Sequence, residues 1–350
     1  MLMLAGILGA VMTATILDVF SFGDDPPEAE DTSEENDEAR TQDDGLDGNP
    51  LEDIDLVRPD NGGSESPEMD VATAGIAETG SEGSEGSDTL AGTADDDHLS
   101  GAGGNDIIAG YGGDDRLFGG AGHDDIGGDA GDDLLDGGEG DDTIMGGNDS
   151  DSLIGGAGDD SLAGQMGHDS ILGGDGDDAL IGGAGDDTLA GGAGDDALQG
   201  GDGGDVLDGG AGQDTLMGGN GDDVLTDRDA ADAPIRDFLN GGAGNDTIVA
   251  GEADWVEGGE GADDFILNAW LAEPHANATI GDYDHEEDQI VVVYDPADYP
   301  DPALTLNVTN AETGDVEILL NGNPIAHVLA SPDLTVDDLA LVPTSTPQAA

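Results

Sequence analysis

The sequence predicts an all-β chain: a right-handed parallel β-roll (a β-solenoid), with a small C-terminal β cap and a disordered acidic N-terminal linker. Three observations predict it. Sixteen nine-residue units run from Gly83 to Thr226 without a register slip. Glycine supplies 63 of 350 residues, enough to turn the chain tightly at every unit. Aromatic residues make up 3%, too few for a thick aromatic core.

The first element, residues 1–22 (MLMLAGILGAVMTATILDVFSF), is apolar apart from Asp18. Two readings stay open for it. As a signal peptide it lacks a Lys or Arg before the apolar run and a distinct cleavage site. As a membrane anchor its uncharged run is 17 residues, the short edge of a spanning helix. Residues 23–82 are acidic and rich in Pro, Gly and Ser (DDPPEAEDTSEEND, then GSEGSEGS), with no helical or strand period. A solvated, self-repelling linker is expected there.

Charge narrows the partners. Asp and Glu number 83 against 5 basic residues, all arginine, for a formal charge of −78. Nucleic acid and anionic lipid surfaces would be repelled. Multivalent cations would be attracted. Cysteine is absent, so neither disulfides nor thiolate ligands can staple a fold with so little apolar material.

The roll itself is expected over 83–266. Three columns hold in all sixteen units: position one is Gly, position six is Asp, and position eight is Leu or Ile. Position four is Gly in fourteen units, with Asp95 and Asp149 as the exceptions, and those two are expected to weaken the adjoining sites. Two or three glycines in five residues permit positive φ and a tight turn. The x-Leu/Ile-x triplet that follows reads as a very short strand with one inward side chain. Two units then make one coil, and sixteen make eight coils stacked about 4.8 Å apart.

One apolar side chain per nine residues is a small return for ordering nine residues, glycine most of all. Stacking also brings aspartates eighteen residues apart, such as Asp160 and Asp178, onto one edge. Unpaired carboxylates repel. A hard cation between them, sharing turn carbonyls, completes a cage of about six to eight oxygens. Ca²⁺ fits that description, and its binding would supply the missing folding free energy.

The expected ligands are the position-six aspartates: Asp88, Asp97, Asp106, Asp115, Asp124, Asp133, Asp142, Asp151, Asp160, Asp169, Asp178, Asp187, Asp196, Asp205, Asp214 and Asp223, with Asp246 and Asp263 beyond them. Units n and n+2 sharing one ion give about 14 sites in the unbroken block. Affinities of about 10⁻⁴–10⁻³ M, those of extracellular modules, are expected.

An insertion at 227–240 (DRDAADAPIRDFLN) interrupts the period, and its Asp237-Phe238-Leu239 looks like the tail of a unit. A full unit from Gly241, an eight-residue unit (AGEADWVE) and a last unit from Gly258 follow. The cap is expected over 267–342, with strands near 278–280, 289–294, 303–309, 315–320 and 324–330 and a hairpin turn at Asn321-Gly322. Residues 334–342 read as a short helix or a strand, and 343–350 as a loose tail.

The units resemble the RTX (repeats-in-toxin, haemolysin-type) consensus G-G-x-G-x-D-x-U-x, a calcium-binding β-roll repeat. The resemblance covers 83–266. A looser one follows, in which ATIGDYDHEEDQIVVV (278–293) is similar to the segment that closes the roll in serralysin-type secreted proteins. The resemblance implies type I export through an uncleaved C-terminal signal, and folding outside the cell. The apolar N-terminus and acidic linker depart from that pattern.

Other chemistry has little to rest on. A zinc protease needs two histidines four apart on a helix, and His285-Glu286-Glu287-Asp288-Gln289 ends in Gln. Pairs such as Asp159-Asp160 repeat identically, whereas acid–base catalysis needs two differently tuned groups. His123 and His168 stand where a solvated turn aspartate is usual. Trp255 and Trp270 are expected in core packing near the end of the roll. The mixed residues at positions five, seven and nine do not form the Thr/Asn rows of an ice-binding face. A calcium-binding extracellular protein without a catalytic centre of its own is the expectation. Two alternatives remain: a surface adhesin that binds glycans or itself, and a hydrolase built around Asp282, Asp284, His285 and Glu286.

Overall fold

The structure is a computed structural model that describes residues 80–226, 235–268 and 277–344. Residues 1–22, almost all of the expected linker, Trp270 and the last residues of the tail lie outside the described residues. Among the described residues, no helix is long and apolar enough to cross a membrane.

Every unit contributes one strand, and successive strands alternate between two sheets. Each strand pairs in parallel with those two units before and after it. Ser161–Met166 lies between Thr143–Asn148 and Ala179–Ala184, with Leu162 opposite Ile144 on one side and Leu180 on the other. Among the described residues the two sheets hold 13 and 14 strands, in about ten turns of a parallel β-solenoid.

The regular strands are six residues long rather than three. Ser170–Asp175 and Thr188–Ala193 are examples. Pairing continues past the position-one glycine into positions two and three, so Gly174 faces Gly192 and Asp175 faces Ala193. The ladder runs through the position-one glycine and on through position two even where its φ is positive, as at Gly174 (φ 127) and Gly192 (φ 122). The turn proper lies between positions four and six.

Position eight points inward everywhere. Leu117, Leu135, Leu153 and Leu207 are fully buried, and the column runs from Leu90 to Ile290 as one apolar spine. Positions seven and nine face outward, since alternate strand residues face opposite sides. Within the regular coils each spine residue meets a Leu or Ile in the coil on either side, as Leu162 meets Ile144 and Leu180.

The solenoid absorbs the irregular units without losing register. Past the insertion Leu216 pairs with Leu239, a step of twenty-three residues instead of eighteen. Past the eight-residue unit Leu239 pairs with Val256, a step of seventeen. Length differences are taken up outside the Asp-x-apolar triplet, because the buried side chain fixes the register.

Both ends depart from the expected boundaries. Ser81–Glu82, counted above with the linker, is already a strand, paired with Leu99 and Ser100. The expected C-terminal cap is built as a continuation of the solenoid. Ala278–Ile280 and Gln289–Tyr294 extend the two sheets in parallel, and Asn323–Val328 and Leu339–Pro343 add the next strands. Only Leu304–Asn310 and Asp315–Leu320 turn antiparallel, folding onto Asn323–Val328. The stretch over 334–342 is both expected things in turn: a single 3-10 turn at Val336–Asp338, then the strand Leu339–Pro343.

Candidate metal centre

The Asp-x-Leu/Ile triplet sets each aspartate at a strand's entry, with its carboxylate turned under the glycine turn of its own unit. Two columns result, one along each edge. The first runs Asp88, Asp106, Asp124 and onward through Asp214 to Asp237 and Asp254. The second runs Asp97, Asp115, Asp133 and onward through Asp223 to Asp246, Asp263 and Asp288. Within each column the N–H of one aspartate donates to Oδ1 of the next, as from Asp142 to Asp160 and from Asp160 to Asp178, both at 2.8 Å.

That bond uses one carboxylate oxygen. The other is left over. Oδ2 of sixteen aspartates, among them Asp106, Asp160, Asp223, Asp237 and Asp263, is buried with no hydrogen-bond partner. Buried polar atoms are almost always satisfied, and an unpartnered carboxylate oxygen is costlier than a neutral one. A repeated exception is a property of the fold.

The space beside each open oxygen exists because position one is glycine. A Cβ on Gly155 would collide with Oδ2 of Asp160 and lie 2.7 Å from the carbonyl oxygen of Gly173. Carboxylate and carbonyl oxygens therefore converge on the volume a side chain would fill. Positions two and four hold the turn open in the left-handed region, as Gly156 (φ 115) and Gly158 (φ 131) do. Where glycine is missing, Ala102 (φ 76), Tyr111 (φ 76), Asp129 (φ 77), Asp149 (φ 74) and Gln165 (φ 81) adopt that region regardless. Asp95 does not; its turn has a different shape.

Burial makes these carboxylates reluctant to ionise. Asp142 is pushed up to about 7, first by desolvation and then by the neighbouring Asp124 and Asp160; backbone N–H donation from Asp124 opposes both. Asp151 is pushed up to about 8, and Asp187 and Asp223 to about 7, by the same causes. Asp254 rises to about 8 through burial and the carboxylate of Asp237 beside it. Burial thus favours the protonated form of these interior carboxylates over that of an exposed aspartate.

The donor set is all oxygen. It suits a hard divalent ion of flexible coordination and offers no nitrogen or sulfur for a soft one. Among the described residues no three His, Asp or Glu side chains converge on one point. An ion in a column would therefore take most of its ligands from turn carbonyls, and one or two from aspartate.

Every expected ligand falls in one of the two columns. Three further members were not expected: Asp237, Asp254 and Asp288. Each begins an Asp-x-apolar triplet (Asp237-Phe238-Leu239, Asp254-Trp255-Val256, Asp288-Gln289-Ile290) with a missing or altered glycine turn upstream. Counting that triplet, instead of the nine-residue period, would have found them.

Position five forms a second, exposed ladder in the opposite sense: Asp177 N–H donates to Oδ1 of Asp159 at 3.0 Å, and Asp195 N–H to Asp177 at 2.8 Å. His123 and His168 take part in it, their Nδ1 atoms accepting from Asp141 N–H and Asp186 N–H. Trp255 is not in the core. It lies half-buried on the outer face, its Nε1–H donating to Glu257, while Val256 fills the inward position. Asp282 accepts from the N–H groups of Gly258 and Gly259, and Asp284 from that of Glu286. Both carboxylates thereby hold turns in place.

The family model of the RTX calcium-binding nonapeptide repeat (4 copies) matches residues 82–117, 100–135, 136–171, 164–198, 172–206, 190–225 and 236–265. The matched residues carry both columns from Asp88 to Asp263 and stop before 278–293. No curated protein matches the chain.

Proposed function

We propose, from the premise that this chain belongs through residues 82–265 to the RTX calcium-binding nonapeptide repeat family, that its two aspartate columns are its calcium sites and that filling them drives the roll to fold. One observation carries the reading: sixteen buried Oδ2 atoms without a partner, all but that of Asp237 beside a glycine-lined space. An ion there satisfies the orphaned oxygen, cancels the repulsion between stacked carboxylates and ties one coil to the next. Because ligands from successive coils meet only in the coiled state, the affinity of the ions is also folding free energy.

The chain's own residues do the rest. Column carboxylates with an open Oδ2 hold the ion, position-one glycines leave room for it, and the position-eight spine sets the spacing. We place the protein outside the cell, exported by a type I route, where calcium near about 10⁻⁴–10⁻³ M matches modules of this kind. No catalytic step is assigned to it. Equilibrium dialysis of the full chain against calcium in excess magnesium tests the reading. A count near the sixteen open oxygens is expected; one or two ions per chain would contradict it.

A further inference from the structure

We propose, resting on the calcium reading above, that each column is closed at both ends by the protein's own hydrogen bonds. Asp88, Asp97, Asp254 and Asp288 are then end caps, and the ion-binding run lies between them. The four differ from the sixteen aspartates with an open Oδ2: their Oδ2 atoms are already taken. Oδ2 of Asp88 accepts from Ser84 N–H at 2.6 Å and Ser84 Oγ–H at 2.9 Å. Oδ2 of Asp97 accepts from Thr93 N–H at 2.6 Å and Thr93 Oγ1–H at 3.1 Å. At the far ends, Gly251 N–H donates to Oδ2 of Asp254, and Asp284 N–H to Oδ2 of Asp288.

The backbone and the sequence agree. Position two of every unit from Ala102 to Gly219 is in the left-handed region, whereas Ser84, Thr93 and Gly251 are not. Ser or Thr stands at position two in the first two units and in none of the fourteen that follow. The changed turn aims its N–H, and in two cases a hydroxyl, at the oxygen that interior turns leave open. Those donors place positive hydrogens where a cation would sit, so the same contact that satisfies the carboxylate excludes the ion. Solenoids need distinct terminal coils, because an end coil has a neighbour on one side only. Here the ladder of aspartates joined N–H to Oδ1 stops at these four residues, although the sheets continue past Asp254 and Asp288, and charge-assisted hydrogen bonds close it.

The test is the number of calcium ions retained by the full chain after dialysis, measured by elemental mass spectrometry, with far-UV circular dichroism to verify folding. Asp88→Asn with Asp97→Asn is expected to keep the wild-type count, whereas Asp106→Asn with Asp115→Asn loses at least two ions. Loss of two ions from the folded Asp88/Asp97 variant would overturn the proposal. Ser84→Gly with Thr93→Gly provides the second arm. With the donors removed and left-handed backbone permitted, two ions should be gained, and an unchanged or lower count would overturn the proposal. A wild-type chain that binds no calcium at all would instead defeat the underlying calcium reading.

Discussion

The N–H of Asp160 donates to Oδ1 of Asp178 at 2.8 Å, eighteen residues away, while Oδ2 of Asp178 is buried with no partner. One oxygen of the side chain thus stitches two coils together, and the other waits for positive charge. Asp178→Asn keeps the stitching acceptor but puts an amide where the open oxygen was. Its calcium midpoint is expected to rise several-fold and its bound calcium to fall by one or two ions. Asp177→Asn, on the exposed ladder, should leave both nearly unchanged. Equal effects at the two positions would mean that bulk charge, rather than the buried column, binds the ion.

Acid should substitute for calcium in part. Asp142, Asp151, Asp187 and Asp223 are raised from 3.8 to about 7 or 8, chiefly by burial. The metal-free roll therefore holds more protons than the unfolded chain between pH 4 and 8, and its stability falls as pH rises through that window. In calcium-free buffer, β-structure should grow on acidification from pH 8 to 5. The calcium midpoint should move to higher calcium over the same range, since protons compete for the same oxygens. A metal-free chain that loses structure on acidification would reverse the assigned sign.

The apolar spine is thin enough for one truncation to register. Leu162 is 1% exposed and touches the equivalent residue of the coils on either side. Leu162→Ala should cost about 2–5 kcal/mol at saturating calcium. Urea unfolding monitored by circular dichroism measures it. A loss under about 0.5 kcal/mol, the range of a surface substitution, would mean that the spine contributes little once the ions are bound.

Strained turns can be relaxed. Tyr111 and Gln165 hold φ of 76° and 81° at a position where glycine is the rule. The left-handed region costs a residue with a Cβ about 1–2 kcal/mol, and glycine's extra freedom when unfolded returns about 0.5–1. Tyr111→Gly and Gln165→Gly should each stabilise the calcium-bound form slightly. Gly156→Ala should destabilise it, because the new methyl meets the carbonyl oxygen of Gly138. Thermal melts of the three variants in calcium give the order directly.

The β-roll was legible because its information is local and repeated. Asp160 and Leu162 sit two apart in every unit, and that spacing alone puts one under the turn and the other in the core. The strands at 278–280 and 289–294 were legible from β-branched runs. Their pairing was not: nothing in Ile280 or Ile290 says which strand of which sheet each one extends. Asp237, Asp254 and Asp288 escaped because register follows the buried side chain, whereas the period followed the glycines. The closed ends escaped as well, since Ser84 and Thr93 look like ordinary variation until Oδ2 of Asp88 and Asp97 is seen to accept from them.

The central claim is that calcium, through the open oxygens of two aspartate columns, supplies the free energy that the spine lacks. Far-UV circular dichroism of the full chain during calcium titration, with magnesium as control, tests it most directly. A cooperative coil-to-β transition in calcium and none in magnesium is the predicted result. A chain already β-structured in chelator at neutral pH would show that the Leu/Ile spine suffices alone, and would contradict the account.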